Sequence, residues 1–177
     1  MEIGLIHPGD IIRLRIWREP DLSGEFLVDE QGVVVFPKIG PRNVLSDSSE
    51  SLKSDLSAEY QVYLRNPSIE VTLLRRVNVL GAVRNPGLYP VDLTMTVSDV
   101  IAAAGGATPQ GKTDEANLIR AGKVLAMRIT RETRMADLPL RSGDQIFVPE
   151  RSWFTRNSGV VAAALTASIS LVIALLR

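Results

Sequence analysis

The sequence predicts an α+β fold: two small mixed domains followed by one C-terminal transmembrane α-helix. Three observations carry that expectation. Short alternating or apolar runs separated by Gly, Pro and Asp turns read as strands. Each half holds one capped segment with a helical apolar stripe. Finally, residues 158–176 contain no charge and run for a membrane's width. The expected divisions are 1–76, 77–150 and 151–177, and the 177 residues less the tail leave enough chain for two compact units of roughly 75 residues.

In the first domain, His7-Pro8-Gly9-Asp10 reads as a turn. From Ile12 the chain alternates apolar and charged residues up to Trp17, as a strand with one wet face should. Residues 26–28 and 33–36, flanking Asp29-Glu30-Gln31-Gly32, read as a β-hairpin, with Pro37 ending it and Gly40-Pro41 turning the chain. Ser46 or Asp47 is then expected to cap a helix, since Asp47-x-x-Glu50 fits a capping box. The expected buried stripe of that helix is Leu52, Leu56, Tyr60, Tyr63 and Leu64, with Asn66-Pro67 as its stop and residues 69–74 as a return strand.

The second domain opens with a strand at 77–80, turns through Arg84-Asn85-Pro86-Gly87, and pairs back over 88–91. Thr96, with Asp99 three residues on, caps a short helix through Ala104. Gly105-Gly106 ends it, because glycine enters the left-handed region without a Cβ clash. Residues 117–120 and 123–129 flank Ala121-Gly122 as another hairpin, and 145–148 form a last strand before Pro149. One phrase echoes: Gly9-Asp10-Ile11-Ile12 and Gly143-Asp144-Gln145-Ile146 each use a Gly-Asp turn to launch a strand.

As a helix, residues 158–176 span roughly 28 Å, close to the hydrocarbon thickness of a bilayer. Val, Leu and Ile side chains favour insertion there by about 0.3–0.6 kcal/mol each, and outweigh Thr166, Ser168 and Ser170. Trp153, Arg156 and Arg177 stand where a membrane-interface collar belongs. Gly159, Ala163, Thr166, Ala167, Ser170 and Ala174 gather on one side at 100° per residue. Lipid accepts Leu all round, whereas a small-residue face lets helices approach closely or lines a wet lumen. A self-associating helix is the preferred expectation; a simple tail anchor with incidental alanines is the alternative.

Composition narrows the function classes. Twenty Lys and Arg balance twenty Asp and Glu, and aromatics make up only 5%, so nothing marks a nucleic-acid surface. Cysteine is absent, which excludes disulfides and thiolate metal sites. Residues 1–4 show no basic region before an apolar core, so no signal peptide is expected; either the chain begins at a processed or trimmed end, with an added Met1, or the protein is cytosolic with a tail anchor. Residues 106–113 satisfy the phosphate-loop pattern G-x-x-x-x-G-K-[ST]. That motif needs a strand before the loop and a helix after it, whereas here a helix precedes and a hairpin follows; Pro109 also removes one N–H from any cradle. A helix end and surface loop is the expectation. The lone His7 is expected as an exposed turn residue, and Arg75-Arg76 as a solvated junction or a contact with a neighbouring subunit. No catalytic, cofactor or metal site is expected, and no enzyme.

Several phrases with fixed spacing resemble the polysaccharide export family of bacterial outer-membrane translocons (Wza-type proteins). In the first domain these are Pro8-Gly9-Asp10-x-Ile12-x-Leu14-x-Ile16-Trp17, Glu19-Pro20-Asp21-Leu22-Ser23-Gly24, Phe36-Pro37-x-Ile39-Gly40 and Tyr63-Leu64-Arg65-Asn66-Pro67. In the second they are Val79-Leu80-Gly81-x-Val83-x-x-Pro86-Gly87-x-Tyr89, Ala103-Ala104-Gly105-Gly106 and Leu140-x-x-Gly143-Asp144-x-Ile146-x-Val148-Pro149, which resemble an SLBB-type β-grasp domain. The resemblance implies rings of identical subunits in the periplasm, capped by C-terminal helices that cross the outer membrane. It also implies a polysaccharide substrate and an inner-membrane co-polymerase or tyrosine-kinase-type partner. Longer members carry more than one β-grasp unit, so a shorter periplasmic body is expected here; many are anchored through an N-terminal cysteine, which this sequence does not hold.

The expected function is a homo-oligomeric channel for exopolysaccharide or capsule, a passive conduit without bond chemistry. Thr166 and Ser170 are its candidate lumen hydroxyls. The alternative is a membrane-tethered β-grasp module that binds a soluble ligand or glycan and recruits export machinery.

Overall fold

A computed structural model describes residues 4–112 and 114–151. The alternation of Ile12, Leu14 and Ile16 with arginines forms strand β1 (Ile11–Ile16), which buries those three side chains and leaves Arg15 exposed. Strand β2 (Gly24–Leu27) lies antiparallel to β1, from Ile11↔Leu27 to Leu14↔Gly24, with Arg13 bound to Glu25 across the pair.

That pairing corrects the expected hairpin. Strand β3 (Val33–Phe36) pairs not with residues 26–28 but with β4 (Gly40–Asn43), in a separate two-stranded sheet. Asp29 is the reason. Its carboxylate accepts the N–H groups of Gln31 (2.9 Å) and Val33 (2.7 Å), so the chain leaves β2 through a side-chain-closed turn. Val34 and Phe36 then enter the core, where Phe36 meets Phe26 edge-on at 5.3 Å. Gly40-Pro41, expected as a turn, begins β4 instead; the reversal falls at Pro37-Lys38-Ile39, with Lys38 at φ +66°.

Helix α1 (Ser49–Tyr60) is capped by Ser48, whose hydroxyl accepts the Ser51 N–H at 3.1 Å. Neither expected cap serves. Ser46 is in the left-handed region (φ +63°), while an N-cap needs extended backbone such as Ser48 adopts. The stripe holds for Leu52, Leu56 and Tyr60, all fully buried, and Tyr60 donates its hydroxyl to the Pro37 carbonyl at 2.9 Å. It fails for Tyr63, which is 55% exposed, because the helix ends at Tyr60 rather than at Asn66-Pro67 and helical spacing no longer applies beyond it.

Residues expected as two strands form one. Strand β5 (Ile69–Gly81) runs unbroken for thirteen residues, through the expected division at 76. Strand β6 (Gly87–Asp92) folds back on its second half, from Leu74↔Asp92 to Val79↔Gly87. Helix α2 (Val97–Ala103) has the expected capping box. Thr96 accepts the Asp99 N–H, and Asp99 accepts the Thr96 N–H at 2.8 Å. Those bonds, from the Thr96 backbone first and its hydroxyl second, hold the Asp99 carboxyl below its ordinary range. Strands β7 (Glu115–Arg120) and β8 (Lys123–Thr130) flank Ala121-Gly122 as a hairpin, and β9 (Gln145–Val148) closes the described fold.

The main sheet has the order β2-β1-β5-β9-β7-β8, with β6 on the opposite side of β5 from β9. β1 runs antiparallel along the first half of β5, from Ile11↔Leu74 to Ile16↔Ile69. β9 runs parallel along the second half, from Asn78↔Gln145 to Gly81↔Val148. Both therefore start near the middle of β5 and diverge. Apolar side chains collect in two clusters, one around Leu14, Phe36, Leu56 and Tyr60 and one around Val79, Val100, Leu118 and Ile146. Leu73 is the last β5 residue of the first cluster and Val77 the first of the second.

Among the described residues no helix is long and apolar enough to cross a membrane. Of the segment expected as the C-terminal helix, 151–177, only Arg151 is among the described residues, and the charge-free run 158–176 lies outside them.

Two measurements check these assignments. Leu56→Ala should destabilise the chain by about 2–5 kcal/mol in chemical denaturation, and Tyr63→Ala should stay within about 0.5 kcal/mol of the parent. A carboxylate whose folded pKa is depressed stabilises the fold above its unfolded pKa, and that contribution is lost as the pH falls through the folded value. Asp99→Asn should therefore flatten the acid limb of the stability profile.

Candidate functional site

The described residues bring their buried charge together at the midpoint of β5, where the two Gly-Asp turns meet. Both turns have the same wiring. Asp10 donates its N–H to the His7 carbonyl (3.2 Å) while its Oδ2 accepts the His7 N–H (2.8 Å). Asp144 donates to the Arg141 carbonyl (3.1 Å) while its Oδ2 accepts the Arg141 N–H (2.8 Å). Gly9 (φ +84°) and Gly143 (φ +94°) take the left-handed position that each turn requires. The echoed phrase in the sequence is thus a repeated structural device.

Each aspartate is buried and each has an arginine. Asp10 is ion-paired with Arg75, which is itself 2% exposed. Arg75 also donates to the Leu5 carbonyl at 2.8 Å and lies 3.3 Å from His7 Nδ1. A guanidinium only donates, so the contact assigns His7 Nδ1 as the acceptor. Asp144 accepts a two-pronged contact from Arg120, Nε to Oδ1 at 2.7 Å and Nη2 to Oδ2 at 2.8 Å. The hydrogen bond to Asp144 raises the Arg120 guanidinium further above its ordinary value.

Cross-bonds lock one turn to the other. Ser142 donates its hydroxyl to Asp10 Oδ1 (2.7 Å) and accepts the Arg76 N–H (2.9 Å). Arg76 Nε donates to the Gly9 carbonyl (2.6 Å), and its own carbonyl accepts the Gly143 N–H (2.8 Å). Asn78 donates to the Asp144 carbonyl at 2.9 Å. Beside this joint lies a cavity of about 240 Å³, lined by His7, Arg75, Arg120, Leu138, Leu140 and Arg141 among others.

Two expectations are corrected here. Arg75 is not a solvated junction residue but the buried counter-ion of Asp10. His7 is half-buried against Arg75 rather than an exposed turn residue. The burial has a topological cause, since β1 and β9 converge on this point of β5 and cover it. The sequence signal that could have located the site is the Gly-Asp echo; nothing in it said which arginines would answer.

The phosphate-loop pattern sits where local geometry puts it, between α2 and β7. Its backbone is occupied: Thr108 donates to the Ala82 carbonyl, Gly111 to Thr108 and Lys112 to Pro149. Lys112 Nζ is bound to Glu115 at 3.1 Å. Among the described residues no group of three His, Asp or Glu side chains could hold a metal ion. The sequence-derived site residues Trp153, Arg156, Gly159, Ala163, Thr166, Ala167, Ser170, Ala174 and Arg177 all lie outside the described residues.

Comparison with known proteins adds the family. The model for polysaccharide biosynthesis/export proteins matches residues 4–74, and that for the SLBB domain matches residues 76–135, so the two meet at the polar joint. The chain belongs to the polysaccharide export protein family. Two Escherichia coli proteins, each a polysialic acid transport protein KpsD, are similar to it at 32% and 31% identity over 111 residues. Each alignment covers 60% of this chain and 20% of the relative, so the chain spans about a fifth of the length of the curated relatives it matches.

Removing one partner of a buried ion pair strands the other in a medium that solvates it poorly. Asp10→Asn should therefore cost about 3–5 kcal/mol in denaturant unfolding, and Ser142→Ala, which removes one neutral donor to that carboxylate, about 1 kcal/mol.

Proposed function

We propose that this chain is the subunit of a homo-oligomeric channel that passes exopolysaccharide or capsular polysaccharide across the bacterial outer membrane. The observation that carries this reading is the order of parts along the chain. An export-family match and an SLBB match follow one another, and a charge-free run with a small-residue face comes after both. In this reading residues 1–76 and 77–150 form the periplasmic body, and 151–177 cross the membrane as one helix of a closed ring. A closed ring satisfies its own backbone in lipid, and the face of Gly159, Ala163, Thr166, Ala167, Ser170 and Ala174 supplies close helix contacts and a wet lumen. Trp153, Arg156 and Arg177 form the interfacial collar.

The conduit is passive. The polymer is driven by its synthesis and by an inner-membrane co-polymerase of the tyrosine-kinase type, and the channel subunit makes and breaks no bond. The buried joint supports such a role mechanically, since it fixes the angle between the two halves of the body.

The native mass of the full chain in mild detergent tests the proposal. One closed oligomer of several subunits is expected. A monomer or dimer across a range of detergents would instead favour a tethered β-grasp module that binds a ligand or glycan. Thr166→Leu with Ser170→Leu should lower surface polysaccharide in a host lacking its own exporter while the body's unfolding curve stays unchanged. Replacement of residues 152–177 by an unrelated membrane helix should abolish export altogether.

A further inference from the structure

At the end of β1 farthest from the joint an indole stands in water: Trp17 is 73% exposed. Its place follows from the strand. Ile12, Leu14 and Ile16 take the core face of β1, so Arg15 and then Trp17 fall on the wet one. Across the ladder Ile16 pairs with Ile69, which sets Ser68 beside Trp17 and Glu70 opposite Arg15. The backbone around the indole is held on both sides. Trp17 donates its N–H to the Ser68 carbonyl at 3.0 Å, while the Ser23 hydroxyl accepts the Ile16 N–H (2.9 Å) and donates to the Glu19 carbonyl (2.7 Å). An open groove of about 440 Å³ runs here, lined by Arg15, Trp17, Arg18, Ser23, Ser68 and Glu70 among others. Among the described residues no hydrogen bond or ion pair engages the charged groups of Arg15, Arg18 or Glu70. Arg18 also sits at φ +64°, a conformation that glycine takes freely and an arginine does not.

We propose that this groove is a subsite for the exported polymer and that the sugar it takes is a pyranose bearing a carboxylate. A pyranose has an apolar face of C–H groups and a rim of hydroxyls. The face suits the Trp17 ring, which is broad, rigid and apolar. The rim needs donors and acceptors side by side, and Arg15, Ser68 and Glu70 supply both. Two unpaired guanidiniums against one unpaired carboxylate leave the groove cationic, so a sugar acid gains over a neutral sugar. A protein partner fits less well. Interface centres are depleted of charge, and covering three unpaired ionic groups would cost their hydration. A hydrated sugar instead offers each of them a hydrogen bond. An open groove also suits a conduit, because a moving polymer must bind weakly enough to leave. The inference rests on the export reading above and adds where the polymer touches the subunit and what charge it carries.

The chain holds two tryptophans, so in a full-length Trp153→Phe chain Trp17 is the only one left to report. Tetragalacturonate and maltotetraose are titrated into it in a detergent without a sugar headgroup. Tetragalacturonate should shift the Trp17 emission saturably and bind about tenfold more tightly than maltotetraose. Arg18→Gly should remove that preference while its unfolding midpoint stays level or rises, because glycine relieves the left-handed position. A merely structural Arg18 would give no change in preference. Trp17→Ala should abolish the heat of binding of both sugars and leave the oligomer mass unchanged. No emission change with either sugar, or binding that survives Trp17→Ala, would overturn the subsite. So would an oligomer that shields Trp17 from acrylamide before sugar is added and loses mass on Trp17→Ala. The groove would then be a contact between copies, and the channel reading would stand. A chain that binds tetragalacturonate through Trp17 yet stays monomeric would uphold the subsite and overturn the channel.

Discussion

A carboxylate taken out of water at Asp10 must find a cation, and the topology leaves one place for that cation to be. β1 and β9 start side by side at the middle of β5 and run apart, so the turns that launch them cover the same stretch of strand. Arg75 stands on that stretch. Its burial is a consequence of two strands converging there, and its charge is tolerable because Asp10 is buried with it. Asp144 and Arg120 repeat the solution on the other turn, with the arginine more exposed and the contact two-pronged. Ser142 and Arg76 then tie one turn to the other.

This arrangement explains why the molecule has two apolar cores rather than one. Hydrocarbon packing alone would merge Leu73 and Val77, four residues apart on one strand, into a single cluster. The polar joint stands between them. Hydrophobic burial stabilises each half without direction, whereas the ion pairs and cross-bonds are directional and fix how the halves are set. β5 adds stiffness of another kind: β6 pairs with it from Leu74 to Val79, so it cannot hinge at residue 76 without disturbing that ladder.

Much of the second half was legible in the sequence, because its signals are local. Thr96 and Asp99 lie within one helical turn, Ala121-Gly122 sits between two strands it joins directly, and Gly105-Gly106 needs only its own helix to explain it. The first half defeated local reasoning wherever two partners competed. Residues 26–28 could have turned back onto 33–36, but β1 took β2 and Asp29 sent the chain elsewhere. Ser46, Asp47 and Ser48 are all acceptable caps by type; Ser46 has left-handed backbone and Ser48 the extended backbone a cap needs, a difference that a sequence does not display. Of the joint, the two Gly-Asp turns were visible and their arginines were not. Arg75 is 65 residues from its partner and Ser142 is 132 from the same carboxylate, and only the finished topology brings them together.

The phosphate-loop pattern at residues 106–113 shows the same rule from the other side. A phosphate cradle is made of backbone N–H groups with nothing else to bond, and those of Thr108, Gly111 and Lys112 are already engaged by their own chain. Gly111 is needed there for a different reason: a Cβ at that position would come within 2.6 Å of the Ala82 carbonyl oxygen. Lys112 answers Glu115 rather than an anion. The glycine and lysine that a pattern search would assign to nucleotide chemistry are used to seat the α2–β7 connection against the Ala82 and Pro149 carbonyls. The same economy holds at the joint, where the carboxylate oxygens of Asp10 and Asp144 are spent on turns and arginines. Side chains engaged in this way fix the geometry of the backbone they hold, because charge-assisted hydrogen bonds are directional.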